Sequence, residues 1–355
     1  MSSLEALTRS IVRPDPGPAE VARRHLDALT KPPGSLGRLE DLVVRLVAIA
    51  GSTRPQIDRH VIFTLAADHG VTARGVSAYP REVTAQMVEN FLRGGAAVNV
   101  LARQARARVV VADFGIANDP GERPGLVRCR IGPGTSDMSL APAMTREQAV
   151  RAVEAGAGLV VDACGSDGVD LVGTGEMGIG NTTAASAILA VLGRHPIERV
   201  AGRGTGLDDE GLRRKVAVIR QALAVNHPDP ADPIDVLGKV GGFEIAGLVG
   251  VILAAASRRL PVLLDGFITG AAALVAVRLC PPAVDYLIAA HRSAEPGHAI
   301  LLEQLGLAPV LDLQMRLGEG TGAALAMPVL EAALRVYEEM ATFDEAGVSG
   351  RVTRE

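Results

Sequence analysis

The sequence predicts an α/β fold, in which a parallel β-sheet is covered by helices on both faces and the two chain ends form a smaller helical part. Two observations carry this prediction. Short β-rich runs alternate with longer helical patterns through the middle of the chain, and such alternation is typical of parallel sheets. Residues 1–52 and 321–355 show helical patterns only, so we expect the two ends to pack together beside the sheet.

The individual elements follow from the apolar periodicity of each segment. The predicted strands are residues 61–67, 108–113, 170–173, 261–264, 285–290 and 308–311. The predicted helices are residues 19–29, 36–50, 84–104, 145–162, 182–192, 208–225, 243–259, 270–279 and 322–342. We therefore expect a large α/β catalytic domain over residues 53–320, and a small helical domain from residues 1–52 and 321–355.

Polar residues stand at the ends of the predicted strands. They are Asp68, Asp113, Glu176, Asp265, His291 and Ser293. Ligands of open parallel sheets bind beyond the carboxyl ends of the strands. We therefore expect these side chains to converge on one edge of the sheet and to form the functional site there.

Composition excludes several classes of protein. The chain has 355 residues, of which 48% are hydrophobic, so it can bury a sizeable core. Its net charge is −4, aromatic residues make up 3% and tryptophan is absent, whereas nucleic-acid binders need basic stripes and stacking aromatics. The longest apolar run, residues 245–257, is shorter than the roughly 20 residues of a membrane span. We expect no nucleic-acid partner and no membrane association.

The cysteines and the first residues predict a cytoplasmic protein. Cys129, Cys164 and Cys280 are odd in number and far apart, which argues against a disulfide framework and a zinc site. Residues 1–13 carry charges and have no continuous apolar stretch, so no secretory signal peptide is expected.

A single carboxylate stands among three glycines in the segment RLGEGTG, residues 316–322. Glycine lets a backbone turn tightly and approach a ligand closely, since it carries no Cβ. A carboxylate held in such a loop is placed to act as a base if a nearby group must lose a proton. Taken alone, however, the segment also fits an ordinary helix N-terminus, where Glu is favoured.

Two further glycine-rich segments precede predicted helices. The segment GTGEMGIGNTT at residues 173–183 contains GxGxxG, and its backbone amides at a helix N-terminus suit a phosphate, although a plain turn is the alternative. The segment GRGTGLD at residues 202–208 is followed by Lys215, and glycine amides with a cation also suit a phosphate. The Asp265 carboxylate at a strand end can accept hydrogen bonds from two ribose hydroxyls; equally, Asp265 can belong to a helix N-cap region.

Other motifs are weaker. The long loop around Asp68, His69 and residues 75–80 can close over a ligand or can be an ordinary connection. His291 and His298 lie in no metal-binding spacing, and no GxSxG is present, so neither a metal site nor a hydrolase triad is supported.

Together these motifs resemble the nicotinate-nucleotide–dimethylbenzimidazole phosphoribosyltransferase family of cobalamin biosynthesis. The resemblance extends from residue 31 to about residue 330. Its segments, in chain order, are KPPGSLG (31–37), ADHGV (67–71), GVSAYP (75–80), VTAQMV (83–88), GGAAVN (94–99), GEMGIGNTT (175–183), GRGTG (202–206), LDGF (264–267), RSAEPGH (292–298) and RLGEGTG (316–322). So many motifs in the same order are far more specific than any one of them.

The resemblance implies a Rossmann-like sheet with a small helical domain, a homodimer, and transfer of phosphoribose from nicotinate mononucleotide to 5,6-dimethylbenzimidazole. It implies that Glu319 is the general base, with Glu176 nearby. The residues implied to hold the phosphoribosyl group are Gly175, Gly178, Gly180, Asn181, Thr182, Gly204, Lys215, Asp265 and Ser293. Those implied to line the benzimidazole pocket are Ser77, Tyr79, Gln86 and Leu317.

Elementary chemistry agrees with this reaction. A benzimidazole must lose its N–H proton as its other nitrogen attacks C1′, and a carboxylate partner lowers that barrier. The leaving pyridinium departs neutral at its ring nitrogen, so we expect neither a metal nor a cofactor. Alternatives are a nucleoside phosphorylase, an NAD-dependent enzyme, a nucleotide-binding regulatory protein, or transfer to another azole or phenolic base.

Overall fold

Six parallel strands form the centre of the fold. The structure is a computed structural model and describes residues 3–350. The strands are β1 (His60–Ala67), β2 (Arg108–Gly115), β3 (Leu126–Arg128), β4 (Leu171–Met177), β5 (Val262–Leu264) and β6 (Leu287–Ala289), in the spatial order β3-β2-β1-β4-β5-β6. Every pairing is parallel. The predicted parallel sheet flanked by helices is thus confirmed.

Helices connect most of the strands and also form both ends of the chain. They are α1 (Ser3–Ser10), α2 (Pro16–Ala28), α3 (Arg38–Ala50), α4 (Val83–Leu92), α5 (Ala97–Gln104), α6 (Arg146–Ser166), α7 (Asn181–Leu192), α8 (Ile197–Val200), α9 (Asp209–Asn226), α10 (Pro233–Val240), α11 (Phe243–Ser257), α12 (Phe267–Leu279), α13 (Pro296–Leu305), α14 (Thr321–Glu339) and α15 (Phe343–Ala346). Among residues 3–350, none of these helices combines the length and apolar character needed to cross a membrane.

The sheet has an apolar core on each face. Successive side chains of a strand point to opposite faces, so Phe63 of β1 joins the core formed with α6, α7, α11 and α12. Its neighbour Ile62 joins the other core, with α3, α5 and α14. Because both faces are covered, β1 is buried along its whole length and reads as a continuous apolar run.

The two chain ends meet beside the sheet. Helix α3 packs against both α2 and α14, and Leu29 forms an isolated antiparallel bridge with Thr342. Helix α14 also contacts β1, β4 and β5, whereas α1 packs on α6 and α11. The division into domains at residues 52 and 320 remains a proposal.

Four predicted elements differ from the structure. The strand predicted at residues 308–311 is wrong, since Leu311 forms only an isolated bridge with His291. The helix predicted at residues 84–104 is two helices, because Gly94 adopts a left-handed φ of 75° between α4 and α5. Strand β4 continues to Met177, beyond the predicted end at residue 173, so Glu176 lies in the strand. A 3₁₀ helix at Pro281–Tyr286 replaces the start of the strand predicted at residues 285–290.

Candidate active site

A pocket of about 460 Å³ opens at the carboxyl ends of β4, β5 and β6. Its walls come from the turns that follow these strands, from one face of α4, and from the loops that precede α9 and α14. Larger cavities of about 560 and 1010 Å³ lie at the helices of the chain ends, and Glu176 and Glu319 line neither of them. The strand-end pocket therefore combines the predicted carboxylates with the glycine-rich turns.

Glu319 is held in the pocket by an unusual backbone conformation. Its φ is 67°, in the left-handed region, between Gly318 and Gly320, whose φ values are 86° and 100°. Thr64 donates a hydrogen bond of 2.9 Å to the Glu319 carbonyl oxygen. The carboxylate is 5% exposed and receives a 3.4 Å hydrogen bond from the Val98 amide. Burial raises the pKa of Glu319, although the Val98 amide opposes the shift.

Asp265 anchors the same loop from the end of β5. Its Oδ1 accepts a 2.6 Å hydrogen bond from the Gly322 amide, and its Oδ2 accepts one of 3.2 Å from the Gly320 amide. These amides belong to the start of α14, where backbone donors lack helical partners. Burial raises the pKa of Asp265 to about 7, against these amides, which favour the charged form. Asp265 therefore supports the Glu319 loop and does not itself line the pocket.

Glu176 faces the pocket from the carboxyl end of β4, one residue before the strand ends at Met177. Its side chain is 5% exposed, and the Asn181 amide group donates a hydrogen bond to Oε2. Burial raises the pKa of Glu176 to about 8, with further contributions from the charges of Asp265, Glu244 and Glu319. Such a carboxyl can hold or release a proton near neutral pH.

Lys215 lies directly behind the glycine-rich wall of the pocket. It is fully buried, and its Nζ donates to Thr182 Oγ1 at 2.8 Å and to the Gly202 carbonyl oxygen at 3.0 Å. Burial lowers the pKa of Lys215 to about 8, against the attraction of the Glu295 carboxylate. Together with the amides at the start of α7, this cation makes one end of the pocket suitable for a phosphate.

Much of the remaining pocket wall is apolar. Val83 and Met87 lie four residues apart and so share one face of α4. Further apolar lining residues are Tyr79, Met177, Ile179, Phe267, Ile268 and Leu317. An apolar wall beside a few placed polar groups is typical of sites for flat aromatic ligands.

Known proteins share this chain's sequence and fold. A family model described as "Phosphoribosyltransferase" matches residues 11–348. A protein of Roseiflexus sp. (strain RS-1), named nicotinate-nucleotide–dimethylbenzimidazole phosphoribosyltransferase, is 56% identical over 99% of both chains. One of the same name from Desulforudis audaxviator is 57% identical over 98% of this chain and 99% of its own.

This chain belongs to that phosphoribosyltransferase family. Two solved structures from Thermus thermophilus agree. The first, a crystal structure of nicotinate-nucleotide–dimethylbenzimidazole phosphoribosyltransferase, has a TM-score of 0.90 and 48% identity, and covers 95% of this chain and 100% of its own. The second, a crystal structure of CobT, has a TM-score of 0.91 and 49% identity, and the match covers 94% of this chain and 99% of that one. The resemblance inferred from the motifs is thus confirmed, and this family member is a transferase.

Most of the site residues predicted for this family member do line the pocket. They are Tyr79, Glu176, Gly178, Asn181, Thr182, Gly204, Ser293, Leu317 and Glu319. Of the polar residues at strand ends, Asp68 and Asp113 are not in the lining. Asp68 accepts a hydrogen bond from the Ala117 amide, and Asp113 pairs with Arg130. Asp265 also lies outside the lining, behind the Glu319 loop, so the expected convergence on the pocket holds for Glu176, His291 and Ser293.

Other predicted site residues lie just outside the pocket. Ser77 hydrogen-bonds at 3.1 Å to Thr205, which lines it, and Gln86 is exposed on α4 beside the lining residue Met87. Gly175 lies behind Glu319, where a Cβ would collide with the Glu319 carbonyl oxygen, and Gly180 is the left-handed residue that starts α7. Lys215 and Asp265 also lie behind the lining, where Lys215 donates to Thr182 and Gly202 and Asp265 accepts from Gly320 and Gly322.

Sequence reasoning missed several lining residues of this transferase. Glu295 lines the pocket, is 6% exposed and belongs to the RSAEPGH segment. Its Oε2 has no hydrogen-bond partner within the described part of the chain, residues 3–350. Arg316 lines the pocket and donates a 2.9 Å hydrogen bond to the Gly204 carbonyl oxygen, which ties two glycine-rich loops together. The spacing of Val83 and Met87 on one helical face was the available signal for the apolar wall. Among residues 3–350, no group of three His, Cys, Asp or Glu side chains is arranged to hold a metal ion.

Proposed function

We propose that this protein transfers the 5-phosphoribosyl group of nicotinate mononucleotide to 5,6-dimethylbenzimidazole, giving α-ribazole 5′-phosphate and nicotinate. One observation carries the proposal for the site: a single pocket is lined by two buried carboxylates, by glycine-rich turns with the buried Lys215 behind them, and by apolar side chains. These are the surroundings that a phosphate, a ribose and a flat aromatic base require. The curated relatives bear the name of this reaction over nearly their whole length.

In the proposed reaction Glu319 is the general base. It removes the N–H proton of the benzimidazole while the other ring nitrogen forms a bond to C1′ of the ribose. The bond from C1′ to the nicotinate nitrogen breaks, and its electron pair neutralises the pyridinium. Attack from the face opposite nicotinate inverts C1′ from β to α. Burial raises the pKa of Glu319, which makes its carboxylate a stronger base for this task.

Glu176 is proposed to stabilise positive charge at C1′. The transition state has oxocarbenium character, and a fixed carboxylate in a water-poor site interacts strongly with such charge. With its pKa raised to about 8, Glu176 acts in this way in its ionised form, which a positive charge at C1′ favours. Asn181 orients Glu176 by donating to its Oε2. The phosphate is proposed to lie at Gly178, Thr182, Gly204, Ser293 and the buried Lys215. Gly180 shapes the turn beside it, whereas Gly175 and Asp265 shape the adjoining Glu319 loop.

The acceptor base is proposed to lie against the apolar wall. Leu317 and Tyr79 line this wall from the two loops that border it, while Ser77 and Gln86 stand at its margin. Small differences between bases change binding here by only about 1–3 kcal/mol for each methyl group. Transfer to another azole or phenolic base is therefore the second candidate function.

We also propose a homodimer in the cytoplasm. The family resemblance supports the homodimer, and three cysteines without disulfide partners fit a reducing compartment. Sedimentation of the purified protein tests the oligomeric state. A monomer at micromolar protein concentration would contradict the proposed homodimer.

A chromatographic assay tests the proposed function. Purified protein is incubated with nicotinate mononucleotide and 5,6-dimethylbenzimidazole, with and without a chelator. The expected products are α-ribazole 5′-phosphate and nicotinate at the same rate in both samples. Phosphate-dependent cleavage would favour a nucleoside phosphorylase, and hydride transfer from a reduced cofactor would favour a dehydrogenase. Nucleotide binding without any product would favour the regulatory alternative.

A further inference from the structure

A buried ion pair lies directly behind the pocket and takes no part in the reaction proposed above. His69, which follows β1, and Glu244, in the first turn of α11, are 1% and 0% exposed. The distance from His69 Nε2 to Glu244 Oε1 is 2.6 Å, and Glu244 Oε2 has no hydrogen-bond partner among residues 3–350. Burial alone would lower the pKa of His69, but the Glu244 carboxylate outweighs it and the pKa is raised. The Glu244 carboxylate thus favours a protonated imidazole at His69.

This pair supports the turn between β4 and α7. A Cβ on Gly178 would lie 2.6 Å from the Ala67 carbonyl oxygen, 3.1 Å from Glu244 Oε1 and 3.3 Å from His69 Nε2. One on Gly180 would lie 2.8 Å from Thr72 Cγ2 and 3.4 Å from His69 Cβ. The turn therefore packs closely against the His69–Glu244 pair as well as against the end of β1 and Thr72. Two amides of this turn are hydrogen-bonded within the protein. Ile179 N donates to Thr84 Oγ1, and Asn181 N donates to the Gly178 carbonyl oxygen.

The same turn orients a pocket carboxylate. Asn181, at its end, donates to Glu176 Oε2. The charge of Glu244 also reaches Glu176 and contributes to the raised pKa of that carboxyl, together with burial and with Asp265 and Glu319. Displacing the His69–Glu244 pair would therefore change both the orientation of the Glu176 side chain and its pKa.

We propose that His69 and Glu244 are positioning residues, whose buried ion pair holds the β4–α7 turn in place and balances the charge that faces Glu176. The ionisable groups around this assembly are Asp68 beside His69, with the charge of Arg81 acting on Asp68, and Asp265 and Glu319 beside Glu176, with His291 Nε2 3.7 Å from Asp265 Oδ1. His69 is the group that pairs with Glu244, so removing it leaves Glu244 uncompensated, whereas removing Glu244 takes away one of the carboxylates acting on Glu176. The two substitutions are expected to act in opposite directions.

Hydrogen–deuterium exchange tests the geometric part without any substrate. Glu244→Ala should speed exchange of the Ile179 and Asn181 amides by about tenfold or more, since local opening becomes easier. Glu244→Gln retains an acceptor for His69 and should restore slow exchange. Asp170→Asn, which breaks the pair with Arg59 at the other end of β4, is the matched control and should leave both amides unchanged. Unchanged exchange in Glu244→Ala would overturn the geometric part.

The pH dependence of kcat tests the electrostatic part, which rests on the proposed function. The inflection that disappears in Glu176→Gln is assigned to Glu176. His69→Gln should move it to higher pH and Glu244→Gln to lower pH, each by about half a pH unit or more. A structural role alone would not produce opposite shifts, so equal, parallel or absent shifts would overturn this part. An inactive wild-type protein would instead contradict the proposed function and leave the exchange test in force.

Discussion

The amide of Gly322 donates a 2.6 Å hydrogen bond to Asp265 Oδ1, joining the end of β5 to the first turn of α14. Asp265 Oδ2 also accepts from Gly320, so one buried carboxylate holds both sides of the segment that follows Glu319. The left-handed conformation of Glu319 is then maintained by its surroundings, since such a backbone is unfavourable for a residue with a Cβ. Asp265 thereby determines where the proposed base stands.

Glu319→Gln should lower kcat by about 10²–10⁴-fold with little change in KM for nicotinate mononucleotide, since it removes the base and retains the side-chain shape. Steady-state kinetics measure both constants. Glu303→Gln, an exposed position on α13, is the control and should behave like the wild type. Near-normal turnover would exclude Glu319 as the sole base and make Glu176 the next candidate.

Gly175→Ala should lower both activity and stability, because a Cβ there collides with the backbone carbonyl of Glu319. We expect a loss of about 1–3 kcal/mol in the free energy of unfolding, as for other overpacked sites. Denaturant unfolding measures this change. Gly158→Ala in α6, where the added Cβ meets open space, is the control and should stabilise by up to about 1 kcal/mol. Equal stability of the two variants would show that the Glu319 loop moves aside freely.

Lys215→Met should raise KM for nicotinate mononucleotide about 10–100-fold, since a hydrogen bond to a charged group contributes about 1.5–3 kcal/mol. The pKa of Lys215 is lowered to about 8, so its charge is present below that pH and lost above it. The wild-type KM should therefore rise above pH 8, and the variant should lack this rise. Lys239→Met, which breaks a pair with Asp235 outside the pocket, is the kinetic control. A pH-independent wild-type KM would argue against phosphate contact through Lys215.

Glu176→Gln should change how stability depends on pH. The pKa of Glu176 is raised from its ordinary 4.5 to about 8 in the folded protein, so the folded state binds the proton more tightly than the unfolded state does. Its contribution to stability is complete below pH 4.5 and is lost as pH rises toward 8. The variant should therefore gain stability relative to the wild type over this interval, by a few kcal/mol at most. Parallel curves of unfolding free energy against pH would contradict a buried, proton-holding Glu176.

Much of the fold followed from local patterns. The strands β1 and β2 lie close to their predicted bounds, because each is a long apolar run ended by polar residues or glycine. Of the three short strands, β5 and β6 overlap predicted strands, whereas β3 was missed. Strand β3 has three residues, of which Val127 and Arg128 are exposed, and so shows no apolar run. Its pairing with β2 depends on the neighbouring strand and not on its own sequence.

Within the site, the sequence determined which chemical groups are available, and the tertiary structure decided what each one faces. Asp265 and Glu176 both follow apolar strand residues, and no local pattern separates them. The structure turns Asp265 onto the amides of α14 and Glu176 into the pocket. On α4, likewise, Met87 enters the lining while its neighbour Gln86 is exposed.

The sequence by itself determined the family, through ten motifs in a fixed order, and the glycines that permit left-handed turns near the site. Only the tertiary structure decided the protonation of the carboxylates and the pairing of His69 with Glu244, residues 175 positions apart. The physical reason is that burial and charge proximity arise from segments distant in the chain. A pKa depends on everything packed around a group, and that surrounding exists only after the sheet and its helices have assembled.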